Sequence, residues 1–178
     1  MDQSVKEDLK PPSRLGSEEA MQRVFLDIAG VGYPGFAHVA DRARRKDPAQ
    51  VMLDALIQPD LEIRLVEALP WIAVRYPQMN WPWLISQATG AGMQNRLGYI
   101  MHLAQELAKA IPETVSILRR WEREIEQVRL PNEGTLCRDS MGEPERQWLR
   151  SNRPESAAHW NLLTSLTSDE LTHAHIAL

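Results

Sequence analysis

Apolar residues recur every three to four positions along most of this 178-residue chain, and this spacing constrains the fold more than any other feature. That period matches one face of an α-helix. No segment sustains the alternation of apolar and polar residues that marks a half-buried strand. The sequence therefore predicts an all-α protein, either an irregular bundle or a short stack of antiparallel helix pairs. The clearest stripe consists of Leu97, Ile100, Met101, Ala104, Leu107 and Ala108.

Capping residues and prolines divide this pattern into separate helices. Asp47 and Asn80 are residue types that cap helix N-termini. Pro34 and Pro112 fit the first turn of a helix, where the missing N–H costs nothing. Pro70 lies inside an apolar stripe and removes one backbone hydrogen bond, which predicts a kink or a restart of the helix there.

The chain changes character along its length. The first segment is charged and rich in proline and predicts a flexible tail, whereas apolar stripes fill the central segment. In the last segment, apolar residues come in short clusters that predict short helices. The predicted parts are the tail at 1–16, a helical domain at 17–130, and an extension at 131–178 with short helices at 142–151, 155–161 and 168–175.

Composition restricts the environment of the protein. Apolar residues make up 43% of the chain and charged residues 25%, as in soluble globular proteins. No apolar run approaches the ~20 residues that cross a bilayer, so we expect no membrane span. The polar first twenty residues do not resemble a signal peptide. A single cysteine, Cys137, allows no internal disulfide, and together these features predict a cytoplasmic protein.

No local motif indicates catalysis or cofactor binding. Arg138 beside Cys137 favours a thiolate, but a nucleophilic cysteine also needs a base and an oxyanion hole, and no local signature supplies them. His173 and His175 lie too close to the chain end for a rigid metal site. We therefore predict no catalytic, metal-binding or cofactor-binding residue. A deep polar pocket with several histidines or carboxylates would instead indicate an enzyme with a site assembled from distant residues.

In the C-terminal extension, Trp148 and Trp160 lie near Arg146, Arg150 and Arg153 in the sequence. These residue types often dominate the binding energy of protein interfaces. The segment either folds back on the helical body or wraps a partner. The predicted partner-binding residues are Arg146, Trp148, Arg150, Arg153 and Trp160.

A second candidate surface lies near the N-terminus. Two predicted helices within 17–46 are joined by a glycine-containing turn, as in a helix-turn-helix that contacts DNA phosphates. The turn GVGYPG is longer than this motif prefers, and the net charge of −4 disfavours a protein that coats nucleic acid. The predicted DNA-binding residues of this alternative are Arg42, Arg44, Arg45 and Lys46.

Two stretches carry a family resemblance. They are ALPWIAVRYPQMNWPWL at 68–84, with QNRLG at 94–98, and CRDSMGEPERQWLRSNRPESAAHWNLLTSL at 137–166. They resemble helical antitoxin-like or accessory proteins of bacteria, encoded beside nucleotidyltransferase-type toxins in AbiE-type abortive-infection systems. The resemblance implies a non-enzymatic protein that binds and neutralises or regulates a toxin-type enzyme. It carries over no functional residue. The alternative is a DNA-binding transcriptional repressor that uses the segment at 17–46.

Overall fold

A computed structural model describes residues 17–171, and helices account for most of them. The all-α prediction is confirmed. The tail at 1–16 and the histidines at 173 and 175 lie outside the described residues. The α-helices are α1 Ser17–Gly30, α2 Pro48–Leu56, α3 Ile63–Arg75, α4 Trp81–Gly90, α5 Gln94–Leu107, α6 Pro112–Glu126, α7 Glu143–Asn152 and α8 Glu155–His159. Short 3-10 helices span Pro34–Arg42 and Ser168–Glu170.

Three helix starts follow the predicted signals. The Asp47 carboxylate accepts hydrogen bonds from the backbone N–H groups of Ala49 and Gln50 at 2.8 and 3.3 Å, and so caps α2. The Asn80 side chain caps α4 in the same way. Helix α6 starts at Pro112. Local chemistry therefore sets these boundaries before any tertiary contact forms.

Pro70 does not restart its helix. Helix α3 continues through it, and Pro70 is buried together with Leu69 and Ile72 on either side. Burial of this apolar stripe outweighs the one backbone hydrogen bond that proline removes. Helix α3 ends at Arg75, just before Pro77.

Helix α5 lies at the centre of the fold and packs against α3, α4 and α6. Its residues 94–101 are all buried, including the polar Gln94, Asn95 and Arg96. The predicted stripe is therefore correct, but the helix has little exposed face in its first two turns. The polar residues bond to other segments of the chain, which is why they occupy the interior.

The segment after α1 differs from the prediction of a second α-helix. Pro34–Arg42 is a 3-10 helix with non-helical dihedral angles at Phe36, and Ala43 is already extended. The physical reason is close packing against the end of α1, since a Cβ at Gly30 would lie 2.4 Å from the carbonyl oxygen of Arg44. A helix-turn-helix with two α-helices at 17–46 is therefore not formed.

The C-terminal extension packs on the helical body. Apolar residues of both parts belong to the same buried cluster, including Leu136, Trp160, Leu166 and Leu171 from the extension. Two strands of two residues each, β1 Gly134–Thr135 and β2 Leu162–Leu163, pair in parallel. The sequence does not predict them, since two residues are too few for alternation to be visible.

Candidate binding site

Trp160, a predicted partner-binding residue, is a core residue. Only 1% of its surface is exposed, and its ring lies against the backbone of Gly98 on α5. The prediction that Trp160 binds a partner is therefore wrong, because a side chain held inside the molecule cannot serve as a contact for a partner. Trp148 on α7 is 57% exposed and remains available.

The three predicted arginines of the extension bond within the chain. Arg146 donates to the carbonyl oxygens of Met141 and Asp139, each at 2.9 Å. Arg150 forms ion pairs with Glu133 and Glu143 at 2.8 Å. Arg153 donates to the carbonyl oxygen of Leu162 at 3.0 Å. These arginines therefore brace the extension, which favours the fold-back alternative over a segment that wraps a partner.

The residues of the predicted DNA-binding surface are divided in the structure. Lys46 forms ion pairs with Asp27 and Asp54 at 2.7 and 2.5 Å. Partial burial lowers the pKa of Lys46, but hydrogen bonds to the two aspartates outweigh it and raise the pKa overall. Lys46 is thus neutralised internally and does not project toward DNA.

Arg42, Arg44 and Arg45 of the same surface are exposed. Within residues 17–171 none of their side chains forms a hydrogen bond or an ion pair. Glu18 and Glu19 line the same cleft, so the surface is of mixed charge. DNA binding by these arginines stays a prediction.

Three consecutive buried polar residues open helix α5 and hold the chain that follows α6. Gln94 Nε2 donates to the carbonyl oxygen of Val128 at 3.1 Å. The Asn95 amide bonds both backbone groups of Leu130, accepting from its N–H at 2.8 Å and donating to its carbonyl at 3.0 Å. These contacts fix where the chain turns from α6 into the extension.

Arg96 ties three segments together. Its Nη1 donates to the carbonyl oxygens of Leu56 and Gln58, both at 2.8 Å. Its Nε donates to the carbonyl of Thr135 at 2.9 Å, and its Nη2 pairs with the Asp139 carboxylate at 2.8 Å. The planar guanidinium group directs all five of its N–H hydrogens at these acceptors, a geometry that lysine could not reproduce. Arg96 is therefore a structural residue.

Cys137 is buried beside this arginine. Its Sγ lies 3.8 Å from Arg96 Nη1, whereas Arg138 instead pairs with Glu145. Burial raises the pKa of the Cys137 thiol to about 11, despite the neighbouring Arg96 charge. The thiol is protonated and enclosed, which is the structural role that the sequence favoured over a nucleophile.

A basic groove lies between α5 and α6 and has a volume of about 750 Å³. We define it by its cationic residues Lys109, Arg119, Arg120 and Arg123. Pro112 and Val115 add apolar surface to the lining, and His102 and Glu106 lie on the α5 side. The turn at Pro112 brings Lys109 beside α6, so residues distant along the chain share one surface.

The cations of the groove are not consumed by internal ion pairs. Within residues 17–171, the side chains of Lys109, Arg119 and Arg123 form neither a hydrogen bond nor an ion pair, and Arg120 stacks on the Trp121 ring at 4.8 Å. Arginines elsewhere, such as Arg96 and Arg150, are fully engaged. This groove was not predicted, because its lining comes from two helices and the turn between them. The signal was three arginines within five residues, at 119, 120 and 123.

A smaller pocket of about 300 Å³ adjoins the groove and is lined by His102, His159, Glu122, Glu126 and Ser156 together with Arg123 and Trp160. This is the type of site at which chemistry would be sought. His159 Nε2 lies 2.8 Å from Glu126 Oε2, and Glu122 accepts from Gln105. Serine catalysis requires a base bonded to the hydroxyl, but Ser156 interacts with Tyr99 instead. The pocket therefore lacks an activated nucleophile in this arrangement.

Residues 17–171 contain no group of three or more histidine, cysteine, aspartate or glutamate side chains placed to hold a metal ion. None of their helices combines the length and the apolar character that crossing a bilayer requires.

Comparisons with known proteins identify no relative. No family model, no curated protein and no solved structure matches the chain. The fold and the basic groove are therefore the basis for a functional assignment.

Proposed function

We propose that this chain is a non-enzymatic binding protein of the cytoplasm that holds an acidic segment of a partner protein in the basic groove. One observation carries the proposal. The side chains of Lys109, Arg119 and Arg123 line a concave surface and have no partner within the described part of the chain, although most charged side chains of the extension bond within it. Unpaired cations in a groove attract an anionic partner and raise its association rate.

The shape of the groove suits a peptide. Its walls are two packed helices, and a helix of 15 residues such as α6 is about 22 Å long. Pro112 and Val115 offer apolar contact, while the cations offer charge-assisted hydrogen bonds to carboxylates. An amphipathic helix or an extended segment with glutamates or aspartates matches both features.

Charge favours a protein partner over nucleic acid. Glu106 lies in the groove, and Glu113 and Glu124 are exposed on α6. A continuous phosphate backbone would meet these carboxylates, whereas a folded partner can place its own charges between them. The net charge of −4 acts in the same direction.

The family resemblance suggests what the partner does. In a protein similar to antitoxins, the acidic segment would belong to a toxin-type enzyme such as a nucleotidyltransferase. Binding would neutralise or regulate that enzyme by covering its functional surface. The contact would involve the basic groove and the exposed Trp148, in place of the braced arginines of the extension.

A peptide titration tests the proposal. The probe is a fluorescent 16-residue amphipathic peptide rich in glutamate, with a matched peptide in which glutamine replaces each glutamate. We expect saturable anisotropy for the acidic peptide, weakened tenfold or more in the double variant Arg119→Ala/Arg123→Ala and by added salt. The matched control is Arg64→Ala, an exposed arginine at the start of α3.

Two binding results would contradict the proposal. One is equal binding by the wild type and the double variant, which would place the peptide elsewhere. The other is groove-dependent binding of a 20-base-pair DNA duplex in preference to the peptide, which would make nucleic acid the partner. Turnover of a substrate by the purified chain would oppose its non-enzymatic part.

The exposed arginines near the N-terminus support a second candidate, the transcriptional repressor. Arg44 and Arg45 have no internal ion pair within the described chain and lie on an extended segment that could reach phosphates. A mobility-shift titration with promoter DNA tests it. Salt-dependent binding that Arg44→Ala/Arg45→Ala reduces, and that Arg119→Ala/Arg123→Ala leaves unchanged, would favour this function.

A further inference from the structure

A further cavity lies between the end of α1, the start of α2 and the end of α3. Its volume is about 470 Å³, within the range of small-molecule sites. Three cationic side chains line it, Arg45, Lys46 and Arg75, and its lining contains no acidic residue. This charge distribution differs from that of the basic groove, which includes a glutamate.

One of the three cations that line this cavity is already paired within the chain. Lys46 is neutralised by Asp27 and Asp54. Arg75 stacks over the Tyr76 ring at 5.4 Å, and within residues 17–171 neither Arg75 nor Arg45 has an ion pair. Two unpaired guanidinium groups therefore face the cavity with a combined charge that a dianion would match.

One wall of the cavity includes Trp71, whose side chain is only 2% exposed. The opposite wall is held in place, because the Tyr76 hydroxyl donates to the carbonyl of Val31 at 2.6 Å.

We propose that this cavity binds a small molecule with a phosphate monoester group, which Arg45 and Arg75 hold between their guanidinium groups. Arginine forks match phosphate oxygens in pairs. The rest of the cavity has room for the organic part of the ligand beside Tyr76 and Pro48. This site is separate from the basic groove and does not depend on its function.

Isothermal titration of the full chain at low salt tests the site. The probes are inorganic phosphate, ribose 5-phosphate and adenosine monophosphate, with succinate as a dianion that lacks phosphorus. We expect one saturable site for at least one phosphate probe. Succinate should bind with an affinity at least tenfold lower than that probe. The first two probes distinguish a free anion from a ligand whose organic part contributes.

The variants Arg45→Gln and Arg75→Gln should each weaken binding tenfold or more. Arg64→Gln, on the same helix as Arg75 but outside the cavity, should bind like the wild type. Arg45 and Arg75 are exposed, so their variants should fold.

The proposal is overturned if no phosphate probe gives saturable heat, or if both arginine variants bind as the wild type does. Equal affinity for succinate would overturn the assignment to phosphate. Binding of the acidic peptide in the basic groove is measured in parallel, and its loss alone would leave this site unaffected.

Discussion

Gly98 of α5 touches the ring of Trp160 so closely that a Cβ at position 98 would lie 2.3 Å from two of the ring carbons. Real Cβ atoms do not approach other atoms to this distance, so Gly98→Ala must displace the indole or the helix. We expect a loss of about 1–3 kcal/mol in the free energy of unfolding, measured by urea denaturation.

Gly90→Ala is the matched control for this change. Gly90 is also helical, as the last residue of α4, but a Cβ there meets no atom within 4 Å. Alanine should therefore be neutral or slightly stabilising, by up to about 1 kcal/mol. Equal effects at the two positions would show that helix propensity, and not contact with Trp160, sets the cost at Gly98.

Arg96→Lys should destabilise the protein although it conserves charge. Lysine cannot reproduce the fork that reaches the carbonyls of Leu56, Gln58 and Thr135 together with Asp139. Breaking a buried charged network costs about 3–5 kcal/mol. Urea denaturation should show this loss, and limited proteolysis should cut the segment after Thr135 sooner.

Two variants bracket the result at Arg96. Asp139→Asn leaves the backbone hydrogen bonds of Arg96 in place at a partner that is 47% exposed, so we expect a cost of about 1 kcal/mol. Arg64→Lys, at an exposed pair with Glu62, should change stability by less than about 0.5 kcal/mol. A cost at Arg96 no larger than these would refute its structural role.

Asp60 should titrate below the ordinary range because Ser140 bonds it twice. Its Oδ1 accepts from the Ser140 hydroxyl at 2.7 Å and from the Ser140 N–H at 3.0 Å, and these hydrogen bonds lower the pKa of Asp60. Because the folded pKa is lowered, the contribution to stability is present above the unfolded pKa and is lost as pH falls through the folded value.

Ser140→Ala removes the hydroxyl bond and should raise the pKa of Asp60 toward its ordinary value. Carboxyl chemical shifts in an NMR titration measure this directly. Ser86→Ala, at an exposed site on α4, is the control and should leave Asp60 unchanged. An unaltered Asp60 titration in Ser140→Ala would show that the hydrogen bond from the Ser140 hydroxyl does not lower the pKa of Asp60.

The Cys137 thiol should be unreactive in the folded protein. Burial raises its pKa to about 11, so the unfolded chain releases the thiol proton at lower pH than the folded chain does. Between about pH 9 and 11 the folded state binds more protons than the unfolded state does. The free energy of unfolding therefore falls as pH rises, by up to about 1.4 kcal/mol per pH unit. Unfolding curves should show this slope, and Cys137→Ala should lack that part of it.

Alkylation by iodoacetamide offers an independent test of the same thiol. At pH 8 modification should occur at the rate of global unfolding and accelerate in urea. Rapid modification of the native protein would show that Cys137 is accessible or ionised, contrary to its burial.

Helix boundaries could be predicted from the sequence wherever local chemistry decides them. Asp47, Asn80 and Pro112 act on neighbouring backbone groups, so their effect is visible in a few residues. The segment at 34–46 could not be predicted in this way. Its apolar spacing fits a helix, but the carbonyl of Arg44 packs against Gly30, and this tertiary contact determines its conformation.

The candidate site was harder to predict because it depends on proximity across the fold. The distinction between a free arginine and a braced one needs the position of its partner, as Arg150 and Glu133 illustrate. Lys109 joins Arg119 and Arg123 only because α5 and α6 pack side by side. Tryptophan and arginine content alone could not separate the core residue Trp160 from the exposed Trp148.

The position of Trp160 has a practical consequence for dissecting this protein. Deleting the extension would strip a large aromatic cover from α5 and leave Tyr99 without its hydrogen bond to the carbonyl of Leu166. The shortened chain would expose apolar surface and tend to self-associate. Loss of any activity after such a deletion would therefore report a damaged scaffold, and single surface substitutions are the informative way to map function.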